Sequence, residues 1–441
     1  MRLADCVCKV GPGNYGHNHY LVTKSGRTLI SDLLTTRLTG KKPLPSTVVL
    51  AVEDHAQLIR ALVAIDGSVA RLALISSDTS AAELARRFSS LGDYLLVSDA
   101  GEGSSAVSVS RLLERYCSTG NADTRWMLST SGTTAESKLV AHTLASLVRT
   151  VRVGEGAGFI WGQLFEPSRF AGLQVILQAV LGGSGLVVPD ADEPISRRVE
   201  MLAKESVNAV SATPTLWRKI LMCDPGSPLK LSVVSVGGEI ADARILRTLS
   251  ERFPGARVRH IYASTEAGTG FAVADGLPGF PIEYLQSAPN GITLKIAEGE
   301  LLIKNTHVDG SYVGSGERFT DVDCYVHTGD KVAIKGDRVV FEGRMSGVIN
   351  VGGNKVFPET VEQAMLEVDC VDLVRAYAID SPIVGQLVGL DVTLKPHCSF
   401  ENARTFLQDA ASKELKKHER PVRVRCVEHA VITANGKLDR T

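Results

Sequence analysis

No apolar run in the chain reaches the roughly 18 residues that a membrane-spanning helix needs. The opening residues, MRLADCVCKVGPG, hold no apolar stretch of the kind that begins a secretory leader. These two absences predict a cytoplasmic protein with no membrane span. Charge of one sign is missing as well: 48 Lys and Arg stand against 49 Asp and Glu, a formal balance of −1. Neither nucleic acid nor an anionic membrane surface is therefore an electrostatically favoured partner. Cysteine is sparse, with eight in 441 residues: Cys6, Cys8, Cys117, Cys223, Cys324, Cys370, Cys398 and Cys426. Only Cys6 and Cys8 stand close together, and a lone C-x-C is weak as a metal motif, so reduced thiols are expected. There is no internal repeat and no low-complexity tract, which argues against solenoids and arrays.

What the chain does have is apolar residue, 44% against 22% charged, enough for a large core. Its length predicts two or three domains at about 150 residues each. The first part alternates in type. STVVLAV at 46–52 reads as a strand, DHAQLIRALVAI from Asp54 as a helix, and RLALIS and DYLLVS as strands. Between the last two, SAAELARRF opens with a capping box, Ser80 and Glu83. Repeated strand–helix units imply a parallel sheet with helices on its faces. The pattern runs on through SGLVVPD, NAVSATPTLWRKIL and LSVVSVGGE to RVRHIYASTE.

From about residue 291 hairpins take over. ITLKIAEGELLIK turns at Glu298-Gly299, KVAIKGDRVVFEGR at Gly336-Asp337, and GVINVGGNKVF at Gly352-Gly353. A helix over 359–368, strands near Val374 and Gly389, a polar helix after Ser399 and the strand VRVRCVEH complete the chain. The expected architecture is α/β: a large N-terminal domain of βα-rich sheets, 1–345, and a small mobile C-terminal α+β domain, 346–441.

Within this frame, LSTSGTTAESKLV at 128–140 places a run of hydroxyl side chains and a glycine before Lys138. Such a loop can offer N–H and hydroxyl groups to phosphate oxygens. By residue type alone it is either that or a polar surface loop. It fits the G-x-x-x-x-G-K-[ST] pattern poorly, since Ser137 precedes Lys138 and Leu139 follows. Four other stretches are equally plain in isolation. VSVGGE (234–239) is a strand-end turn. YASTEAG (262–268) is a strand followed by a helix cap at Ser264 or Thr265. HTGD (327–330) is a turn. TANGKLDR (433–440) carries a lysine that would ordinarily be solvated.

Together and in this order, they resemble the motifs of the adenylate-forming (AMP-binding) ligase superfamily, which includes acyl-CoA synthetases, peptide-synthetase adenylation domains and luciferases. TSGTTAESK is similar to [ST]-S-G-[ST]-T-G-x-P-K at Thr130, Ser131, Gly132, Thr133, Thr134 and Lys138. The resemblance implies a loop that holds the β,γ-phosphates of ATP. Ala135 replaces a glycine and disfavours positive φ; Ser137 replaces a proline and frees φ. A looser loop is expected. Gly237, Gly238 and Glu239 would lie on the adenine side. Tyr262 of YASTE would stack on adenine, with Ala263 and Ser264 beside the nucleotide and Thr265 bonded to the α-phosphate. Glu266 would hold Mg2+, a hard cation that takes one or two carboxylates plus phosphate oxygens. Asp330 would accept from both ribose hydroxyls.

FEGRMSGVINVGGNKVFPETVE (341–362) looks like the stretch where the large domain hands over to the small one. Arg344 would contact ribose or phosphate. The hinge falls on Ser346, where Asp or Lys is usual. Gly352 and Gly353 would line the approach of a thiol. Lys437 of the closing G-K-[IL]-x-R motif would reach the acyl carboxylate and α-phosphate, making it, with Thr265 and Glu266, the implied catalytic set. The acid pocket is expected around Phe165, Glu166, Gly172 and Ile261. The resemblance covers roughly residue 40 to the end; the first few dozen residues match nothing recognisable.

The activity implied uses ATP and Mg2+ to turn a carboxylic acid into acyl-AMP, releasing pyrophosphate, and then passes the acyl group to a thiol. Coenzyme A is the leading acceptor. A separate carrier protein is the alternative, with an acyl or aminoacyl group. The aspartate expected of amino-acid activators before SATPT is not evident, which tilts towards a non-amino acid. A non-catalytic nucleotide-binding relative is the third reading. Retention of Lys437, Asp330, Arg344, Glu266 and Thr265 argues against it.

Overall fold

The computed structural model describes residues 2–10, 19–99, 106–118, 120, 122–130, 138–223, 228–428, 433 and 436–439. The fold is mixed α/β, built on two large sheets. One has eight strands, in the order Gly268–Val273, Arg257–Ser264, Val233–Gly237, Ala209–Ala212, Ile160–Gly162, Gly185–Val187, Tyr20–Thr23, Gly26–Leu29. Its inner pairs are parallel and its two outermost pairs antiparallel. The other has seven: Val308–Val313, Leu139–His142, Arg125–Ser129, Arg71–Leu74, Thr47–Ala51, Tyr94–Ser98, Ala106–Val107. The strand Thr47–Ala51 is buried at every residue, so its sequence is a continuous apolar run rather than an alternation.

The helix Phe170–Gly182 is apolar on nearly every face, and Gly183 ends it in the left-handed region at φ +75°. One apolar cluster joins its Leu173, Ile176 and Val180 to Leu21 and Leu186 of the eight-stranded sheet. It also takes in Val48, Leu72 and Trp126 of the seven-stranded one. The two sheets thus share a core with this helix.

Local signals set the helix starts. Ser80 accepts from the Glu83 amide at 3.2 Å, while the Glu83 carboxylate pairs with Arg87, so one of the two capping-box bonds is replaced by an ion pair. Thr213 caps Pro214–Met222, accepting from Leu216 N at 3.0 Å, with Pro214 in the first turn.

The three expected hairpins are present. Thr293–Ala297 pairs with Glu300–Lys304, Tyr325–Lys335 with Arg338–Arg344, and Ile349–Val351 with Asn354–Val356. Gly352 and Gly353 both take positive φ, +58° and +85°, as a two-residue hairpin turn requires. A separate apolar cluster draws all its buried members from Ile349 to Leu415. It lies between the last sheet and the helices Pro358–Leu366 and Phe400–Glu414. No helix among the described residues is long and apolar enough to cross a membrane.

Candidate functional site

Asp330 and Arg344 lie directly opposite each other on neighbouring antiparallel strands. Register alone therefore brings the HTGD and FEGR motifs together, and Arg344 Nε donates to Asp330 Oδ1 at 2.8 Å. The other oxygen, Oδ2, accepts from the Tyr262 hydroxyl, and the Asp330 amide donates to Thr328 Oγ1 at 3.1 Å. HTGD lies inside the strand Tyr325–Lys335, with Gly329 at φ +71°. The Tyr262 ring is stacked near-parallel on Phe271 and on Phe341, at centroid separations of 5.4 and 5.2 Å. Burial and the charge of Asp330 hold its hydroxyl well above the ordinary value of 10.0, so it remains a donor.

Thr265 and Glu266 occupy a tight turn between the strands Arg257–Ser264 and Gly268–Val273. Ser264 Oγ accepts from Ala267 N at 3.0 Å, which closes a turn into the next strand; no helix begins there. Thr265 is buried, and its carbonyl meets His142 Nε2 at 2.8 Å. Burial drives the His142 pKa down to about 4, so the ring is neutral near pH 7. Nε2 must then carry the proton and donate, leaving Nδ1 to accept from Ser146 Oγ, 3.4 Å away. The Tyr312 hydroxyl, pushed up to about 12 by burial and by the charge of Glu266, donates to Glu266 Oε1 at 3.4 Å.

The Lys138 ammonium sits 4.5 Å from the centre of the Tyr312 ring and bonds both Glu317 oxygens, at 2.9 and 2.7 Å. The two ends of the hydroxyl-rich loop are pinned by Thr130 N to Lys138 O at 2.8 Å and Lys138 N to Thr130 Oγ1 at 3.2 Å. Ser131, Gly132, Thr133 and Thr134, with Ala135 and Ser137, lie outside the described residues.

Lys437 reaches this cluster from the far end of the chain. Gly436 takes φ +70° and Gly238 φ +82°. The lysine stem runs over Gly238, where an added Cβ would come within 3.4 Å of Lys437 Cε. The ammonium is held below its ordinary 10.5, first by burial and then by the charge of Arg344, against the pull of Glu239 and Asp330. Glu239 has both carboxylate oxygens engaged: Oε2 accepts from Thr215 N at 3.0 Å and Oε1 from Leu438 N at 2.8 Å.

Of the expected acid-pocket residues, Phe165 is buried. Glu166 pairs with Arg169 Nε at 3.2 Å and accepts from Ser168 Oγ. Arg169 Nη1 in turn donates to the Thr130 carbonyl at 3.2 Å, tying this segment to the base of the loop. Gly172 must lack a Cβ, which would lie 2.0 Å from the Glu166 carbonyl oxygen. Ile261 is the parallel partner of Gly237.

Ser346 stands exposed in the short turn Met345–Gly347. The turn is flanked by Thr360 Oγ1 donating to Glu342 O at 2.7 Å. In the 352–353 turn, Gly352 N donates to Val384 O at 2.9 Å and Gly353 N to Asn350 Oδ1 at 3.0 Å.

The structure thus gathers Asp330, Arg344, Tyr262, Glu239, Gly238 and Lys437, with the charge of Glu266 reaching Arg344. The 352–353 turn bonds instead to Val384 and Asn350. Sequence reasoning missed Thr213, His142, Tyr312 and Glu317 as members of the site. For Thr213 a signal existed, the Thr-Pro cap; for the other three there was none.

The family model for AMP-binding enzyme matches residues 45–317. Over 344 residues the chain is 26% identical to a D-alanine–D-alanyl carrier protein ligase of Staphylococcus haemolyticus, covering 73% of this chain and 71% of that one. Over 348 residues it is 26% identical to an oxalate–CoA ligase of Saccharomyces cerevisiae, covering 73% of this chain and 62% of the yeast protein, so the match spans less than two thirds of that relative. Among solved structures it resembles an o-succinylbenzoate coenzyme A synthetase of Bacillus subtilis in complex with ATP and magnesium. The TM-score is 0.72 at 18% identity, over 99% of this chain and 98% of that one. Likeness at that identity shows the fold alone.

Proposed function

This chain belongs to the AMP-binding enzyme family, and on that premise we propose that it is an AMP-forming acid–thiol ligase with coenzyme A as its acceptor. In the first half-reaction a carboxylate oxygen of the acid attacks the α-phosphorus of ATP. The bond from that phosphorus to the β-phosphate bridging oxygen breaks, giving acyl-AMP and pyrophosphate. In the second, a thiol sulfur attacks the acyl carbon and AMP leaves, with the thiol proton passing to water or buffer. Such chemistry asks the protein for positioning and charge neutralisation.

The observation that supports this reading is the convergence of motifs far apart in the chain: Arg344 pairs with Asp330 at 2.8 Å, Tyr262 bonds the same carboxylate, and the half-buried Lys437 stem runs over Gly238. Lys437 neutralises charge on the reacting carboxylate and α-phosphate, and Lys138 on the outer phosphates. Thr265 bonds the α-phosphate, its backbone fixed by His142. Asp330 and Arg344 hold the ribose; Gly237, Gly238, Ala263 and Ser264 border the base, with the Tyr262 ring beside it.

Glu266 is the residue that would hold Mg2+. Among the described residues no group of three or more His, Cys, Asp or Glu could hold an ion alone. An ion at Glu266 therefore depends on phosphate oxygens, a donor set that suits Mg2+. When bound it supplies neutralisation of the triphosphate.

We assign residues 1–345 and 346–441 to two units that pivot at Ser346, the second bringing Gly352 and Gly353 to the thiol. The acid enters between Phe165, Glu166, Gly172 and Ile261. Loading of a separate carrier protein is the second reading, favoured by the likeness to the carrier protein ligase.

The test is pyrophosphate release with hydroxylamine trapping, across fatty, aryl, small organic and amino acids, in the presence and absence of Mg2+. A trapped hydroxamate with at least one acid is expected, dependent on Mg2+ and followed by thioester formation with coenzyme A. ATP binding without release for any acid would count against the ligase; a hydroxamate with no coenzyme A thioester would favour the carrier protein.

A further inference from the structure

Thr213 and Glu239 hold both peptide groups that flank Lys437. The Thr213 hydroxyl donates to the Gly436 carbonyl while accepting from Leu216 N at 3.0 Å. Its proton is therefore committed outward from the helix it caps. Glu239 Oε2 takes an amide left unpaired at the start of that same helix, Thr215 N at 3.0 Å. Its Oε1 takes Leu438 N at 2.8 Å, a charge-assisted bond.

Thr433 is also tied to Gly436 and Lys437. Thr433 N donates to Lys437 O at 2.9 Å and Gly436 N to Thr433 O at 2.8 Å, and Lys437 N meets Thr433 Oγ1 at 3.3 Å. Shape reinforces the bonds. A Cβ on Gly436 would come 3.2 Å from Leu216 Cδ2, so glycine lets the turn seat against the capped helix. From the other side, Arg375 Nη1 donates to the Asp439 carbonyl at 3.3 Å. Arg375 is itself fixed by Asp391 at 3.0 Å.

We propose that Thr213 and Glu239 form a receptor for the Lys437 turn, positioning the lysine for acid activation, and that Glu239 serves the turn instead of the adenine side. This rests on the ligase reading given above. Arg375 carries the turn with the small unit, whereas the bonds to Thr213 and Glu239 are those that part when that unit pivots. Neither is a catalytic residue: each acts through Lys437. The device is a seat that selects the activating orientation, and its loss slows the first half-reaction without touching the second.

The experiment compares Thr213→Val, Thr213→Ser, Glu239→Gln and Glu239→Ala with the unaltered protein. Four quantities are read: acid-dependent pyrophosphate release, thioester formation from supplied acyl-adenylate, the Kd for ATP, and hydrogen exchange of the peptide containing Leu438. Thr213→Val and Glu239→Ala should lower the first by roughly 10- to 100-fold, the range expected for a lost bond to a charged or fully buried partner. The second should stay within about 2-fold and ATP affinity within about 3-fold, since the seat acts in one orientation only. Exchange at Leu438 should quicken. Glu239→Gln should be intermediate, and Thr213→Ser, which keeps both bonds, should restore the rate. Weaker ATP binding with an unchanged maximal rate would return Glu239 to the nucleotide and overturn the proposal. So would equal loss in both half-reactions, the mark of a merely structural role. Hydrogen exchange needs no substrate: if no acid is activated at all, faster exchange in the variants still supports the seat and unchanged exchange sinks it, separately from the ligase reading.

Discussion

An ammonium that is to neutralise a reacting phosphate must be charged when the substrate arrives, and Lys437 is placed where its proton is easier to lose than in water. Burial and the nearby Arg344 charge lower its pKa from 10.5. Activity that needs the protonated form is therefore present below that lowered pKa and lost as pH rises through it. The pH dependence of kcat/KM for ATP reports the free enzyme. Its basic limb is expected below 10.5, and the residual rate of Lys437→Ala is expected to lack that limb. A limb at or above the free-lysine value would refute the burial argument. Lys437, Asp330 and Arg344 were legible in the sequence because each lies in a short contiguous motif. Their partners were not. Thr213 and Gly436 are 223 positions apart, and His142 and Thr265 are 123 apart. No local pattern marks a hydrogen bond across such a distance. Glu239 shows the converse: its motif was visible, but the two amides that occupy its oxygens were not.

At the scale of elements, turns and caps were readable because their chemistry is local. Glycine pairs set the hairpins, and Ser80 and Ser399 start helices by accepting from amides three residues on. Strand order was not readable: nothing local says that Val308–Val313 pairs with Leu139–His142 and so carries Tyr312 and Glu317 to Lys138. Nor does anything local announce how the last helical units meet the rest.

Arg244, on the helix Ala243–Arg252, donates to the carbonyls of Leu366, Val368 and Asp369 at the end of Pro358–Leu366, the last two at 2.9 and 3.2 Å. The Leu366 carbonyl closes that helix at its negative pole, and Val368 and Asp369 follow just past its end. A cation there contributes about 1 kcal/mol. Arg244→Ala is thus expected to lower pyrophosphate release roughly 5-fold, the equivalent of that energy. Thioester formation should be spared and protease cutting near Ser346 quickened. A loss shared equally by both half-reactions, with cutting unchanged, would remove Arg244 from the docking contact.

For the whole molecule, the four histidines buried among the described residues set how it meets acid. His19, His55, His142 and His260 are each lowered from 6.5 to about 4, in every case chiefly by burial. The unfolded chain binds protons at these positions from about pH 6.5 downward while the folded one does not. Stability is therefore fully present above that pH and is lost as pH falls towards 4, at up to about 1.4 kcal/mol per pH unit for each histidine. The carboxylates held below their ordinary range do not mask this window. Asp190, Asp275 and Asp391, lowered from 3.8, lose their contribution only beneath it. Asp66 and Asp372 are raised, mainly by burial, so they act in the opposite sense, favouring the folded state as pH falls and offsetting part of the loss.

All four histidines precede residue 345, as do all three tryptophans, Trp126, Trp161 and Trp217. The apolar cluster of Ile349 to Leu415 contains none of these histidines. Acid should therefore open the large unit first. Tryptophan emission should report unfolding at lower urea at pH 5 than at pH 7.5, with net proton uptake measured by calorimetry in two buffers. Amide protection within 349–415 should persist to lower pH. Equal urea midpoints at the two pH values, or simultaneous loss of both regions, would show that the histidines do not govern the acid response.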